Sequence, residues 1–282
     1  MGRYTGLGIP NIESTEAIKI DLTRNISKVL SDLQDEMVYA CDREIGECPK
    51  WTEVPVYDKA LQLVALISGR TFVGLPLSRD KEWTDATINF TSDTLRAVRA
   101  IEKYHPLVRP LISHLLPEMK GLRAYREFAG EKLKPQVDAI LTCRSKEANG
   151  HAPEDLLDDD VIKGDFNMIH WTLNHLKDMY SADAISLGQS QMLIAFAAIH
   201  TTSMALSHAI FDLAAHPQYI TELREEIENV IVDENYPDKM LRKTSMPKLK
   251  KLDSFIKESQ RVSPLGMSEL RPVCSSFCEA MS

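Results

Sequence analysis

The chain lacks four things that would assign it to a simple class: an unbroken apolar run long enough to span a bilayer, period-two strand alternation, an internal repeat and an excess of positive charge. Its most apolar stretch is interrupted by Gln189, Ser190 and Gln191, whereas a transmembrane helix needs about 20 predominantly apolar residues. No membrane span is expected. Met1-Gly2-Arg3-Tyr4 opens without the apolar core of a secretory signal, and Gly6 stands where a myristoylation site needs Ser or Thr. Asp plus Glu number 41 against 33 Lys plus Arg, a net charge of −8. A phosphate-binding face normally shows a basic excess, so no nucleic-acid partner is expected, and there is no polybasic anchor. Five cysteines, at 41, 48, 143, 274 and 278, are odd in number and irregular in spacing, which suits reduced thiols. Cys274-x-x-x-Cys278 has no matching second pair, so no zinc site or metal cluster is expected.

What is present is helical periodicity. Apolar content of 44% in 282 residues is enough for a large core. Leu22, Ile26, Val29, Leu30, Leu33 and Met37 recur at helical spacing. Leu61 to Ser68 follow Pro55 as an early-turn residue, and Gly69 and Gly74 bracket Phe72-Val73 before Pro76. Residues 83–104 read as a helix ending before Pro106, and 119–141 as another, with Pro135 predicting a kink or break. Residues 146–160 read as a loop and 161–180 as a helix carrying Trp171. Residues 185–215 form the longest candidate, about 45 Å at 1.5 Å per residue, with Gly188 its single breaker and His216-Pro217 its end. A further helix spans 219–232. Residues 1–20 and 274–282 read as irregular tails. The expectation is a mostly α fold in a single domain over 1–282.

Two places on this scaffold carry chemistry. Ala195, Ala197, Ala198 and Ala205 are small residues on the long helix, and such a run serves tight helix packing or the approach of something large and flat. Thr201, Thr202 and Ser203 are three mid-helix hydroxyls; they bond the carbonyl one turn back, or one of them faces a cavity and takes part in proton delivery. His200 is either a satisfied core residue or a titrating group. Further on, Glu258 and Arg261 stand at i and i+3, inside Lys257-Glu258-Ser259-Gln260-Arg261-Val262-Ser263-Pro264. That spacing alone commonly marks a solvated surface pair.

The order Ala197-Ala198-Ile199-His200-Thr201-Thr202, then Glu258-x-x-Arg261, resembles the I-helix and K-helix motifs of the cytochrome P-450 superfamily, the haem-thiolate monooxygenases. The form of both motifs, and Phe72-Val73-Gly74-Leu75-Pro76-Leu77, is similar to that of fungal secondary-metabolism members. The resemblance covers about Asp21 to Val273. It implies a cytochrome P-450-like helical core from about the C helix to the K helix. Ala198 stands at the family's glycine beside the haem, His200 at its acid, Thr201 at its proton-delivering threonine with Thr202 following, and Arg271 where an arginine often reaches a haem propionate. Glu258 and Arg261 would form a buried ion pair, so that Arg261→Ala would be strongly destabilising. Haem iron, NADPH delivered through a reductase partner, and a small lipophilic substrate such as a terpenoid or other secondary metabolite are what the resemblance implies.

The family's N-terminal anchor to the endoplasmic-reticulum membrane, its first helices, its sheet and its Phe-x-x-Gly…Cys-x-Gly loop have no counterpart in these residues. Cys274 and Cys278 lack the glycine-rich turn of that loop. The expectation is therefore a partial domain without its axial metal ligand, cytoplasmic, without turnover and without the thiolate-type Soret band, since the thiolate supplies the electron push for O–O cleavage. Two other readings stay open. One is a non-enzymatic helical interaction fragment. The other is an all-α terpenoid synthase-like enzyme, in which Asp158, Asp159, Asp160 and Asp165 would hold Mg²⁺.

Overall fold

The apolar spacing becomes a succession of helices in the computed structural model, which describes residues 12–148, 167–178 and 182–264. Helix α1 (Ile12–Glu16) passes through a π-helical stretch (Ala17–Leu22) into α2 (Thr23–Glu44). Then come α3 (Val56–Phe72), a 3-10 turn (Leu77–Arg79), α4 (Lys81–Glu102), the short α5 (Arg109–Ile112) and α6 (Pro117–Ala148). Helix α7 (Met168–His175), α8 (Ala184–Ala215), α9 (Gln218–Glu234), a 3-10 turn (Met246–Lys248) and α10 (Lys250–Val262) complete the order. No strand occurs among the described residues, as the mostly α expectation requires.

The chain divides into two compact units, residues 1–52 with 61–200, and residues 53–60 with 201–282. The divisions fall inside α3 and α8, which both run on as unbroken helices. The core of the first unit gathers Trp83, Phe90 and Ala97 from α4, Ala129, Leu133, Val137 and Ile140 from α6, and Leu187 and Met192 from α8, with Ile169 and Leu173 from α7. In the second unit α9 meets α10, with the Tyr219 and Phe255 rings 6.3 Å apart. Leu249, at the N-cap of α10, supplies no side-chain acceptor. The Glu226 carboxylate fills that role instead, accepting from the Lys251 and Leu252 amides at 2.8 and 2.9 Å, a negative group where the helix dipole is positive.

Three expectations are corrected. The supposed tail up to residue 20 is helical from Ile12, because Ala17, fully buried, packs with Val29, Met168 and Trp171, and His175 Nε2 lies 2.6 Å from Asp21. Pro135 does not break α6, which is helical from Pro117 to Ala148. A proline removes one amide donor, but Leu133, Val137 and Ile140 are each at most 2% exposed, and Gln136 Nε2 donates to the Val73 carbonyl at 2.9 Å. Of the helix read over 161–180, residues 161–166, 179 and 180 lie outside the described residues. Within 167–178 it is α7 (Met168–His175), with Asn167 as cap accepting from the His170 amide at 3.1 Å and Leu176 already extended. The loop read over 146–160 lies mostly outside the described residues, with α6 reaching Ala148.

Gly188 is not a breaker either. A Cβ built there would lie 2.6 Å from the Gly130 nitrogen and 2.8 Å from the Ala129 carbonyl carbon, and one built on Gly130 would lie 2.9 Å from the Ile185 Cα. Two 32-residue helices, α6 and α8, therefore touch backbone to backbone. Helix α8 is long and apolar enough to cross a membrane by length and composition, despite Gln189 to Gln191, with 22% of its most apolar window buried. Its first half nonetheless packs into the first unit through Leu187, Gln191, Met192, Ala195 and Ile199.

Gly188→Ala adds one methyl and gains helix propensity of up to ~1 kcal/mol, yet it forces two backbones apart, at a cost of about 1–3 kcal/mol. Urea unfolding should therefore show net destabilisation. Gly121→Ala, on the same helix as Gly130 with nothing within 4 Å of its added Cβ, should be neutral or stabilising.

Candidate functional site

The motif residues sit on α8 past the Gly188 crossing. Ile199 is 2% exposed and packs with Leu61, Ala65 and Ala195. Ala197 is exposed, while Ala198 and His200 are half-buried. His200 Nε2 lies 2.9 Å from the Ile88 carbonyl oxygen. A carbonyl only accepts, so this nitrogen carries a proton and donates it. The three hydroxyls separate into two kinds. Ser203 is fully buried and donates to the Ala60 carbonyl at 3.2 Å, and Ser207 donates back to the Ser203 carbonyl at 2.7 Å. Thr201 and Thr202 are exposed. Ala197 and Thr201, one turn apart, share a helix edge, as do Ala198 and Thr202.

The Glu258–Arg261 pair forms, but it is not buried. Arg261 Nε and Nη2 donate to the two Glu258 oxygens at 2.7 and 2.6 Å, and the side chains are 71% and 59% exposed. The Glu258 hydrogen bond raises the Arg261 pKa, and Arg261 lowers that of Glu258. The reason for the exposure is helical geometry. Helix α10 turns Ser259, 5% exposed, inward to bond Asp212. At about 100° per residue, Arg261 then lies about 200° away on the opposite face.

The buried pair is elsewhere. Glu36, 1% exposed, receives Arg79 Nε at 3.0 Å and Nη2 at 2.8 Å. The Arg79 guanidinium also lies 3.6 Å from the centre of the Tyr39 ring, and its hydrogen bond to Glu36 raises its pKa. Arg79 is placed by the turn after α3, where Gly74 has φ +74 and the Val73 carbonyl accepts from Gln136. The Phe72–Leu77 motif thus holds the guanidinium in line with α2. Next to it, Asp80 caps α4, accepting from the Glu82 and Trp83 amides at 2.7 and 3.1 Å and from Lys132 Nζ at 2.9 Å. The Lys132 bond, helped by the two amides and opposed by burial, holds the Asp80 carboxyl below its ordinary 3.8.

Among the described residues no group of three or more His, Cys, Asp or Glu is placed to hold a metal ion. Cys41 and Cys143 are half-buried and Cys48 is exposed. Arg271, Cys274, Cys278 and the aspartates at 158–160 and 165 lie outside the described residues. Ala197 and Ala198 leave the edge of α8 without side-chain bulk beyond Cβ, which is the space a flat group would need.

The cytochrome P450 family model matches residues 73–277. The chain is 41% identical over 281 residues to the cytochrome P450 monooxygenase ascG of Acremonium egyptiacum, covering 97% of this chain and 51% of the relative. It is 38% identical over 264 residues to cytochrome P450 monooxygenase 3 of Gibberella fujikuroi, covering 93% and 49%. Against the cytochrome P450 monooxygenase ataF of Aspergillus terreus it is 35% identical over 272 residues, covering 96% and 51%. A helical chain with this motif helix and these fungal monooxygenase relatives belongs to the cytochrome P450 family. The family's cofactor is haem iron. The chain spans about half the length of the relatives it matches.

Arg79→Ala strands the Glu36 carboxylate. Breaking a buried pair costs about 3–5 kcal/mol; with Arg79 34% exposed, a loss of about 2–3 kcal/mol is expected in chemical denaturation. Arg261→Ala should leave the melting temperature unchanged within error. Equal losses for the two variants would contradict the assignment of Glu36–Arg79 as the buried pair.

Proposed function

We propose that this chain is part of a haem-dependent monooxygenase, and that the whole protein inserts oxygen into a small lipophilic secondary metabolite. The observation that carries this reading is the division of labour on α8. The residues that pack, Ala195, Ile199 and Ser203, are buried, while Ala197, Thr201 and Thr202 are exposed on a helix whose sequence resembles the family's motif, with Ala198 and His200 in place of its glycine and acid. Haem supplies the redox chemistry. Ala197 and Ala198, with nothing beyond Cβ, let a flat group approach the helix. Thr201 presents a hydroxyl on the same edge and holds or passes a proton there, with Thr202 beside Ala198. His200 is assigned a positioning role, because its Nε2 proton is spent on the Ile88 carbonyl. Arg271 remains the proposed partner for a haem carboxylate, for which a guanidinium fork is suited. Electrons would come from NADPH through a reductase partner, at the endoplasmic-reticulum membrane where the family usually works.

A haemin titration of the chain, followed by absorbance, tests the haem-facing edge. Uptake should be abolished or weakened by at least about tenfold in Ala198→Phe and Ala197→Trp, and unchanged in Thr201→Ala. Uptake that ignores both bulky variants would place haem elsewhere. No uptake by a chain whose circular dichroism is fully helical would favour the helical interaction fragment.

A further inference from the structure

Gln191 lies on α8 three residues after the Gly188 crossing. It is 1% exposed, and neither its amide nitrogen nor its amide oxygen meets a protein partner. Burying an unpartnered amide costs free energy on the scale of a lost hydrogen bond or more, so the position calls for an explanation. The side chain lines a small cavity among α3, α4 and α8, whose other walls include Phe72, Trp83, Thr87, Ala195 and Ile199. The volume is about 10 Å³, at the lower bound of what one water needs and too small for any larger ligand. Thr87, also buried, gives its proton to the Thr84 carbonyl at 2.9 Å. Its hydroxyl oxygen therefore has lone pairs free to accept.

We infer that this cavity is a binding site for one internal water, held by Gln191 and Thr87. The water accepts from Gln191 Nε2 and donates to Gln191 Oε1 or to Thr87 Oγ1. That is the two-to-four-bond environment in which buried waters are retained, and the remaining walls are apolar apart from Ser68 and the Gly69 backbone. The water ties the motif-bearing helix to α4, independently of any haem, so the inference does not rest on the proposed activity.

A crystal structure of the chain should show a single solvent peak about 2.7–3.2 Å from the Gln191 amide and the Thr87 hydroxyl. A Gln191 amide bonded to protein groups, or no peak at that place, overturns the inference. Thermal melts give a second reading. Gln191→Met keeps the length and removes the amide; with a bound water its melting temperature should fall or stay level. A rise of several degrees would mean that the amide was uncompensated. Thr87→Val and Gln191→Met should combine non-additively, because both act on one water; additive shifts would also overturn it.

Discussion

The contact on which the fold depends is the backbone crossing of α6 and α8 at Gly130 and Gly188. Each helix is 32 residues long, and neither glycine has room for even a methyl group against the other's backbone. Close approach there brings Leu133, Val137 and Ile140 of α6 into one cluster with Leu187 and Met192 of α8. Because a helix is a stiff rod rising 1.5 Å per residue, fixing α8 at Gly188 also fixes Ala197 about 14 Å further along its axis. The motif face is thus set by a pair of residues that carry no side chain at all.

Charge is arranged differently from what the motif suggests. Glu258 and Arg261 bond each other well and face water, so their attraction is screened and offset by ordering two long side chains. The Glu36 carboxylate is the enclosed one, and it has what a buried charge requires: two guanidinium hydrogen bonds in fork geometry, with the guanidinium stacked on Tyr39. The same turn that delivers Arg79 then delivers Asp80 to cap α4 and bond Lys132. Three helices, α2, α4 and α6, are thereby joined by charged groups within one short stretch of chain.

How much of this was legible follows from the range of each signal. Helices α2, α3, α4, α8 and α9 have the apolar period, or the bounding Pro55, Pro106 and Pro217, written locally. Helix α1 was not read because Ser14 and Ala17 are small residues buried by neighbours far along the chain, and small residues leave no apolar period. Pro135 leaves no break in α6, since the cost of one lost helix bond is overridden where the flanking residues are core. Gly130 and Gly188 were invisible as a pair, 58 positions apart. Glu36 did carry a signal: it sits on the Val29, Leu33 and Ala40 stripe, and a carboxylate on a core-facing stripe needs a cation. Its partner, 43 residues on, could not be named from spacing.

The motif on α8 shows the reverse case, in which the sequence named the residues and the structure redistributes their roles. Histidine, threonine and serine in succession offered four polar groups with overlapping capacities. Packing removes two of them from chemistry: His200 is held by Ile88, and Ser203 by Ala60. A proton already committed to a backbone carbonyl inside a helix contact is a poor one to deliver, because releasing it leaves a part-buried acceptor unpaired. Thr201 and Thr202 lie on the exposed edge of the helix, one turn on from Ala197 and Ala198. Specificity of role on this helix comes from which side is already in use, and that is a property of the fold around it more than of the six-residue motif.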